Sequence, residues 1–104
     1  MEYKAIMTQK AEDDLADILD YITETLLNKQ AAFELVSELQ DNIDILKKSP
    51  YVFASSLDPR LQAEGYHKFI LKKSFIALFL IDDKKHEVSI MRIFYAKRNY
   101  PSLI

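Results

Sequence analysis

The stretch Phe75-Ile-Ala-Leu-Phe-Leu-Ile81 decides the fold. Seven consecutive apolar residues with no polar side chain to mark a solvent face read as a strand covered on both sides, at the centre of a sheet. The flanks agree. Upstream, Tyr66–Leu71 alternates as a strand, with His67, Phe69 and Leu71 on one side and Tyr66, Lys68 and Ile70 on the other. Downstream, Asp82-Asp-Lys-Lys-His86 is a polar hairpin loop leading into a strand over Glu87–Tyr95. Strict alternation there puts Val88, Ile90, Arg92 and Phe94 on one face and Ser89, Met91, Ile93 and Tyr95 on the other.

The sequence before this sheet is helical. A short first strand, Tyr3–Met7, ends at Thr8, an N-cap followed by Glu12, Asp13 and Asp14, where the helix dipole favours negative charge. Ala11, Leu15, Ile18, Leu19, Ile22 and Leu26 then recur at steps of three and four, an amphipathic helix whose remaining acids, Asp17, Asp20 and Glu24, read with Asp13 and Asp14 as a solvated face. Leu27-Asn28-Lys29 breaks the pattern. Asn28 caps a second helix with the stripe Ala32, Leu35, Val36, Leu39, Ile43 and Leu46, which stops at Lys47 and Lys48 before Ser49-Pro50. So short a connection makes the helices an antiparallel hairpin. Tyr51–Gly65, with Pro59, two serines and the lone glycine, reads as a long loop. The expected fold is α+β: β-α-α-β-β-β, a helical hairpin packed on a mainly antiparallel four-stranded sheet, one domain over residues 1–104.

Composition narrows the classes of function. There is no cysteine, and His67 and His86 lack the spacing of a zinc site, so neither metal nor cofactor is expected. No apolar run approaches a membrane span and no signal-peptide pattern opens the chain, which makes a soluble cytoplasmic protein the expectation. The net charge of −2 conceals a division: residues 1–50 carry −6 and residues 51–104 carry +4, with all three arginines in the second half. Any surface for an anionic partner must therefore be local.

Four groups of side chains stand out, each with a plainer alternative. Arg98, with Lys97 and Tyr100 just past the last strand, has the means to hold a phosphate bidentately beside a stacking ring, or is a solvated strand end. His67 suits general acid–base work, or half-buried packing. Lys68, Lys72 and Lys73 form a phosphate-facing strip, or guard a strand edge. Arg92, mid-strand among apolar residues, serves a site or pairs with a helix acid.

The segments Ala11-Glu-Asp-Asp-Leu-Ala-Asp-Ile-Leu-Asp-Tyr-Ile22, Ile45-Leu-Lys-Lys-Ser-Pro50 and Arg92-Ile-Phe-Tyr-Ala-Lys-Arg98, in this order of elements, resemble the RelE/ParE toxins of bacterial type II toxin–antitoxin systems. The resemblance spans nearly the whole chain. It implies a growth-inhibiting toxin with a cognate antitoxin as partner, in a toxin–antitoxin hetero-oligomer or a homodimer, and one of two targets. RelE-like members cut messenger RNA on the ribosome without a metal; ParE-like members poison DNA gyrase. Arg98 matches the arginine that follows the last strand in RelE-like toxins, whereas their terminal tyrosine has no clean match unless Tyr100 substitutes from an earlier position. Where those toxins carry second-strand lysines and a central-strand arginine, however, this chain has His67, Phe69 and Ile76. With the acidic first half, these departures favour the ParE-like reading over the RelE-like nuclease, in which Arg98 and His67 would be catalytic. A third alternative is an inactive member retained for antitoxin binding and operon autoregulation.

Overall fold

The computed structural model describes residues 2–104. Strand β1 (Lys4–Met7) leads into helix α1 (Gln9–Asp20), whose last turn widens into a π-helical turn over Tyr21–Thr25; helix α2 (Lys29–Lys48) returns across the sheet. A short helix α3 (Pro59–Ala63) precedes strands β2 (His67–Leu71), β3 (Phe75–Asp82) and β4 (Glu87–Tyr95), and a 3-10 turn, Tyr100–Leu103, follows. The sheet order is β1-β4-β3-β2. β1 runs parallel to β4 and the other two pairings are antiparallel. The expected α+β fold with a helical hairpin on a mainly antiparallel sheet is therefore the observed one.

The apolar β3 run is central because both its faces are covered. On one face Ala77 and Phe79 join Phe69, Leu71, Val88, Ile90 and Ile93 beneath Ala11, Ile22, Leu35, Leu39 and Leu46 of the helical layer. On the other, Ile76 and Leu78 pack with Tyr66, Phe94 and Leu61. Leu61 anchors α3, the first departure from the sequence reading. Asp58 accepts a hydrogen bond from Leu61 N at 2.9 Å and Pro59 pre-sets the first turn, so the expected loop folds locally around one buried leucine. The tail is likewise ordered: the Tyr100 ring stacks on Phe94, and Arg60 donates to the Pro101 and Ile104 carbonyls. Two residues of the expected helical stripes, Leu26 and Val36, are exposed.

The second departure is in β4. Leu78 pairs with Arg92 but Phe79 with Ile90, so Met91 is an extra residue, a β-bulge. It reverses the alternation. Val88, Ile90 and then Ile93 face the helical layer, whereas Met91 and Phe94 pack on the reverse face, so the expected grouping of Phe94 with Val88 and Ile90 fails. β1 has ended by this point, at Met7 opposite Ile90, and the exposed edge of β4 is satisfied by side chains of α1 instead. The Thr8 hydroxyl accepts from Ala11 N at 3.1 Å, capping α1, and donates to Met91 O at 2.9 Å. Asp14 then accepts from Ile93 N at 2.9 Å and from the Arg92 guanidinium at 2.7 and 3.0 Å. Asp14 thus leaves the set of solvated helix acids, and Arg92 has the helix-acid partner that its mid-strand position called for.

A smaller clamp closes the opposite end of the sheet. Asp83, in the β3–β4 loop, accepts the hydroxyls of Tyr3 and Tyr51, tying the first strand and the post-α2 turn to that hairpin. The hydrogen bond to Asp83 pushes Tyr51 up to about 12, and Asp83 itself lies below the usual carboxylate range for the same reason.

Two outcomes follow. In Asp14→Ala, urea unfolding should show a loss of about 2 kcal/mol, because a buried backbone N–H and a partly buried guanidinium lose their acceptor together. Asp14→Asn, which keeps an acceptor oxygen, should lose less. In a tyrosinate absorbance titration the Tyr51 step should come near pH 12, against 10.0 for an unperturbed phenol. The clamp's contribution is complete below the unfolded phenol's value and disappears as pH rises through the folded one; on the acid side it is lost as Asp83 protonates. Asp83→Asn should bring the tyrosine step back towards the unperturbed value.

Candidate interaction groove and cationic sheet end

The cations singled out in the sequence divide into two groups by position. Lys72 and Lys73 form the two central residues of the β2–β3 turn, both at positive φ (51° and 58°), with Ser74 N bonded to Leu71 O at 3.1 Å. Both angles are those of a type I′ hairpin, a turn that asparagine and glycine adopt at least cost. Two lysines hold it instead. Lys97 and Arg98 occupy the turn after β4, and Ala96 N donates to Ser74 O at 2.8 Å, so the two cationic turns are stapled together at one end of the sheet. Lys73, Lys97 and Arg98 are exposed there. The Arg98 guanidinium has no carboxylate within ion-pair distance among the described residues.

Lys72 is held differently. Its ammonium lies 2.7 Å from Glu34 of α2, and its backbone N–H donates to Glu38 at 3.1 Å. The hydrogen bond from Lys72 keeps the Glu34 carboxyl below its ordinary range. These two glutamates fix the β2–β3 turn against α2, which leaves Lys73, Lys97 and Arg98 as the outward charges.

Beside this cationic end lies a groove of about 650 Å³ between the helical hairpin and the sheet. It opens where β1 has stopped, beyond the bulge. Ile18, Tyr21, Ile22, Leu26 and Ala31 of the helical layer form one wall, and Phe75, Ile93 and Tyr95 of the sheet form the other. Asp14 and Asp17 mark the helix rim; Lys72 and Arg98 mark the sheet rim. A trough of this composition is suited to an amphipathic peptide segment: apolar residues fill it, and carboxylates meet Arg98 at its mouth.

The remaining singled-out residues lie elsewhere. His67 begins β2 opposite Phe79, four positions along the strand from Leu71 and the cationic turn, roughly 13 Å at the strand rise. Its imidazole stacks on Phe79 (centroids 5.5 Å apart) and meets the Tyr51 ring edge-on, with Nδ1 3.4 Å from Phe53 O. Lys68 is on the opposite face of that strand, with Tyr66 and Ile70. Tyr100 covers Phe94 on the reverse face. Arg92 lies 4.4 Å above the Phe94 ring and is doubly bonded to Asp14, whose hydrogen bond raises its already high pKa. The structure thus gathers Lys72, Lys73, Lys97 and Arg98 and keeps His67 and Lys68 apart from them. Asp14, Glu34 and Glu38, which do the positioning, were not visible in the sequence among so many helix acids.

Among curated proteins, no sequence matches this chain. The pattern of the ParE toxin of the parDE type II toxin–antitoxin system matches residues 5–100. Among solved structures, the chromosomal ParDE system of P. aeruginosa superposes with a TM-score of 0.69 at 24% identity, covering 92% of this chain and 98% of that one. The RelBE2 toxin–antitoxin complex of Mycobacterium tuberculosis gives 0.65 at 19% identity, with 94% and 95% covered. A double-arginine variant of the E. coli toxin RelE in the free state gives 0.65 at 14% identity, with 99% and 93% covered. At these identities the superpositions establish the shared fold, and the sequence pattern establishes descent: this chain belongs to the ParE toxin family of type II toxin–antitoxin systems.

Proposed function

We propose that the chain is the growth-inhibiting toxin of such a module and that it acts by binding a protein target, DNA gyrase, without cutting messenger RNA. One observation carries this reading: the polar groups that RNA cleavage would require are dispersed. Attack by a ribose hydroxyl on the adjacent phosphate needs a proton acceptor and a charge-stabilising cation around one phosphorus. His67 is packed against Phe79 a strand's length from Arg98, and Arg92 is neutralised by Asp14. The face of the sheet opposite the helices is apolar, with Ile76, Leu78 and Phe94 beneath α3 and the tail.

The antitoxin is the second partner. Its binding segment occupies the groove as an amphipathic element, with acidic residues against Lys73 and Arg98 at the sheet end. Several solved neighbours are toxin–antitoxin complexes, which supports a partner of this kind.

The test is induction of the chain alone in bacteria, with transcript mapping alongside a gyrase supercoiling assay on the purified protein. Loss of supercoiling with messages intact is expected; codon-phased cuts that disappear in Arg98→Ala would establish the nuclease instead. Arg98→Glu should weaken antitoxin binding by roughly tenfold at low salt, with a smaller effect at high salt. Calorimetric titration at two ionic strengths measures both.

A further inference from the structure

The tip of the helical hairpin exposes two large apolar side chains, Leu27 and Phe33, that belong neither to the groove lining nor to the core. Leu27 is 81% exposed and Phe33, one turn into α2, is 69% exposed; Tyr21 and Leu26, also more than half exposed, belong to the groove wall. Single exposed apolar residues are ordinary, but Leu27 and Phe33 flank the same hairpin turn. The backbone makes the point more sharply. Leu27 sits at φ 52°, the left-handed position directly after a helix, where glycine or asparagine is adopted at least cost. A leucine there costs backbone free energy and returns no burial. The helix preceding it ends in the π-helical turn Tyr21–Thr25, with Leu26 N bonded to Tyr21 O and Asn28 N to Ile22 O, a geometry found disproportionately at functional sites. Both features interrupt regular helix at the point where Leu27 is exposed.

The charge around the tip says what it meets. Between Glu12 and Glu38 there are eight acids and one basic residue, Lys29. Asp20 and Glu24 are exposed immediately before the patch. An acidic antitoxin segment, suited to Arg98 and Lys73, is repelled from this surface.

We propose that the hairpin tip is a second contact surface, separate from the antitoxin's, at which Leu27 and Phe33 insert into an apolar pocket rimmed by cations on the toxin's cellular target protein. This rests on the reading of the chain as an active toxin whose target is gyrase.

Leu27→Gly separates function from folding, because it relieves the left-handed strain. Its melting temperature should rise by about 4 °C. Antitoxin affinity should stay within roughly twofold, while the dose of induced protein needed to arrest growth rises roughly tenfold or more. Phe33→Asp should reproduce the loss of toxicity, and Leu27→Met, which keeps an apolar side chain, should retain it. With purified gyrase as probe, binding should fall in step with toxicity. Glycine and aspartate variants as toxic as the parent would overturn the proposal and leave the toxin reading intact. A parallel loss of antitoxin binding would also overturn it, by assigning the tip to the antitoxin. A parent chain that neither slows growth nor binds gyrase would overturn the toxin reading itself, and the second surface with it.

Discussion

The contact on which the rest of the architecture depends is that of Asp14 with the bulged edge of β4. One carboxylate satisfies a backbone N–H that no strand is present to pair, and neutralises an arginine that no solvent fully hydrates. Because β1 is only four residues long, β4 would otherwise run on as an open edge directly beneath α1. Thr8 and Asp14 close that edge from the helix, so α1 is fixed to the sheet by polar contacts at defined positions as well as by apolar packing. The groove begins where these contacts end. Its position follows from how far β1 reaches and which helix residue takes over from it.

The charge division in the sequence acquires a spatial meaning through the same arrangement. The acidic half is the helical hairpin and the basic half is the sheet with its turns, and the groove separates them. Glu34 and Glu38 bridge the divide to hold Lys72, while Lys73 and Arg98 remain outward. One molecule therefore offers surfaces of opposite sign on the two sides of a single apolar trough. That arrangement suits a protein with two partners of different chemistry.

Most of the fold was legible because its elements carry strong periodicities. The all-apolar run from Phe75 announced a central strand, and the spacing from Ala11 to Ile22 announced an amphipathic helix capped by Thr8. What could not be read were features with no period. A single inserted residue at Met91 shifts every later side chain in β4, and nothing in Val88–Phe94 marks where the shift occurs. α3 has one buried anchor, Leu61, too few for a pattern. The type I′ turn at Lys72-Lys73 lacks the residues that usually signal it. Of the candidate site, the residue types were legible but their grouping was not: grouping depends on which turns lie at the same sheet end, and Ser74 to Ala96 is a contact across more than twenty positions.

The edge at β2 is closed in a comparable way. Lys68 N is bonded to Ala54 O and Lys72 N to the Glu38 carboxylate, which leaves the Lys68 carbonyl and Ile70 between them without a backbone partner on that side among the described residues. An unprotected outer strand is a template for ordered self-association, in which one chain extends the sheet of the next. Interrupted at both ends after so short a stretch, this one is a poor template for such growth. Copies of the chain that meet there can associate only through side chains, so colloidal behaviour at this edge is set by surface charge and by Ile70, independently of hydrogen-bonded strand addition.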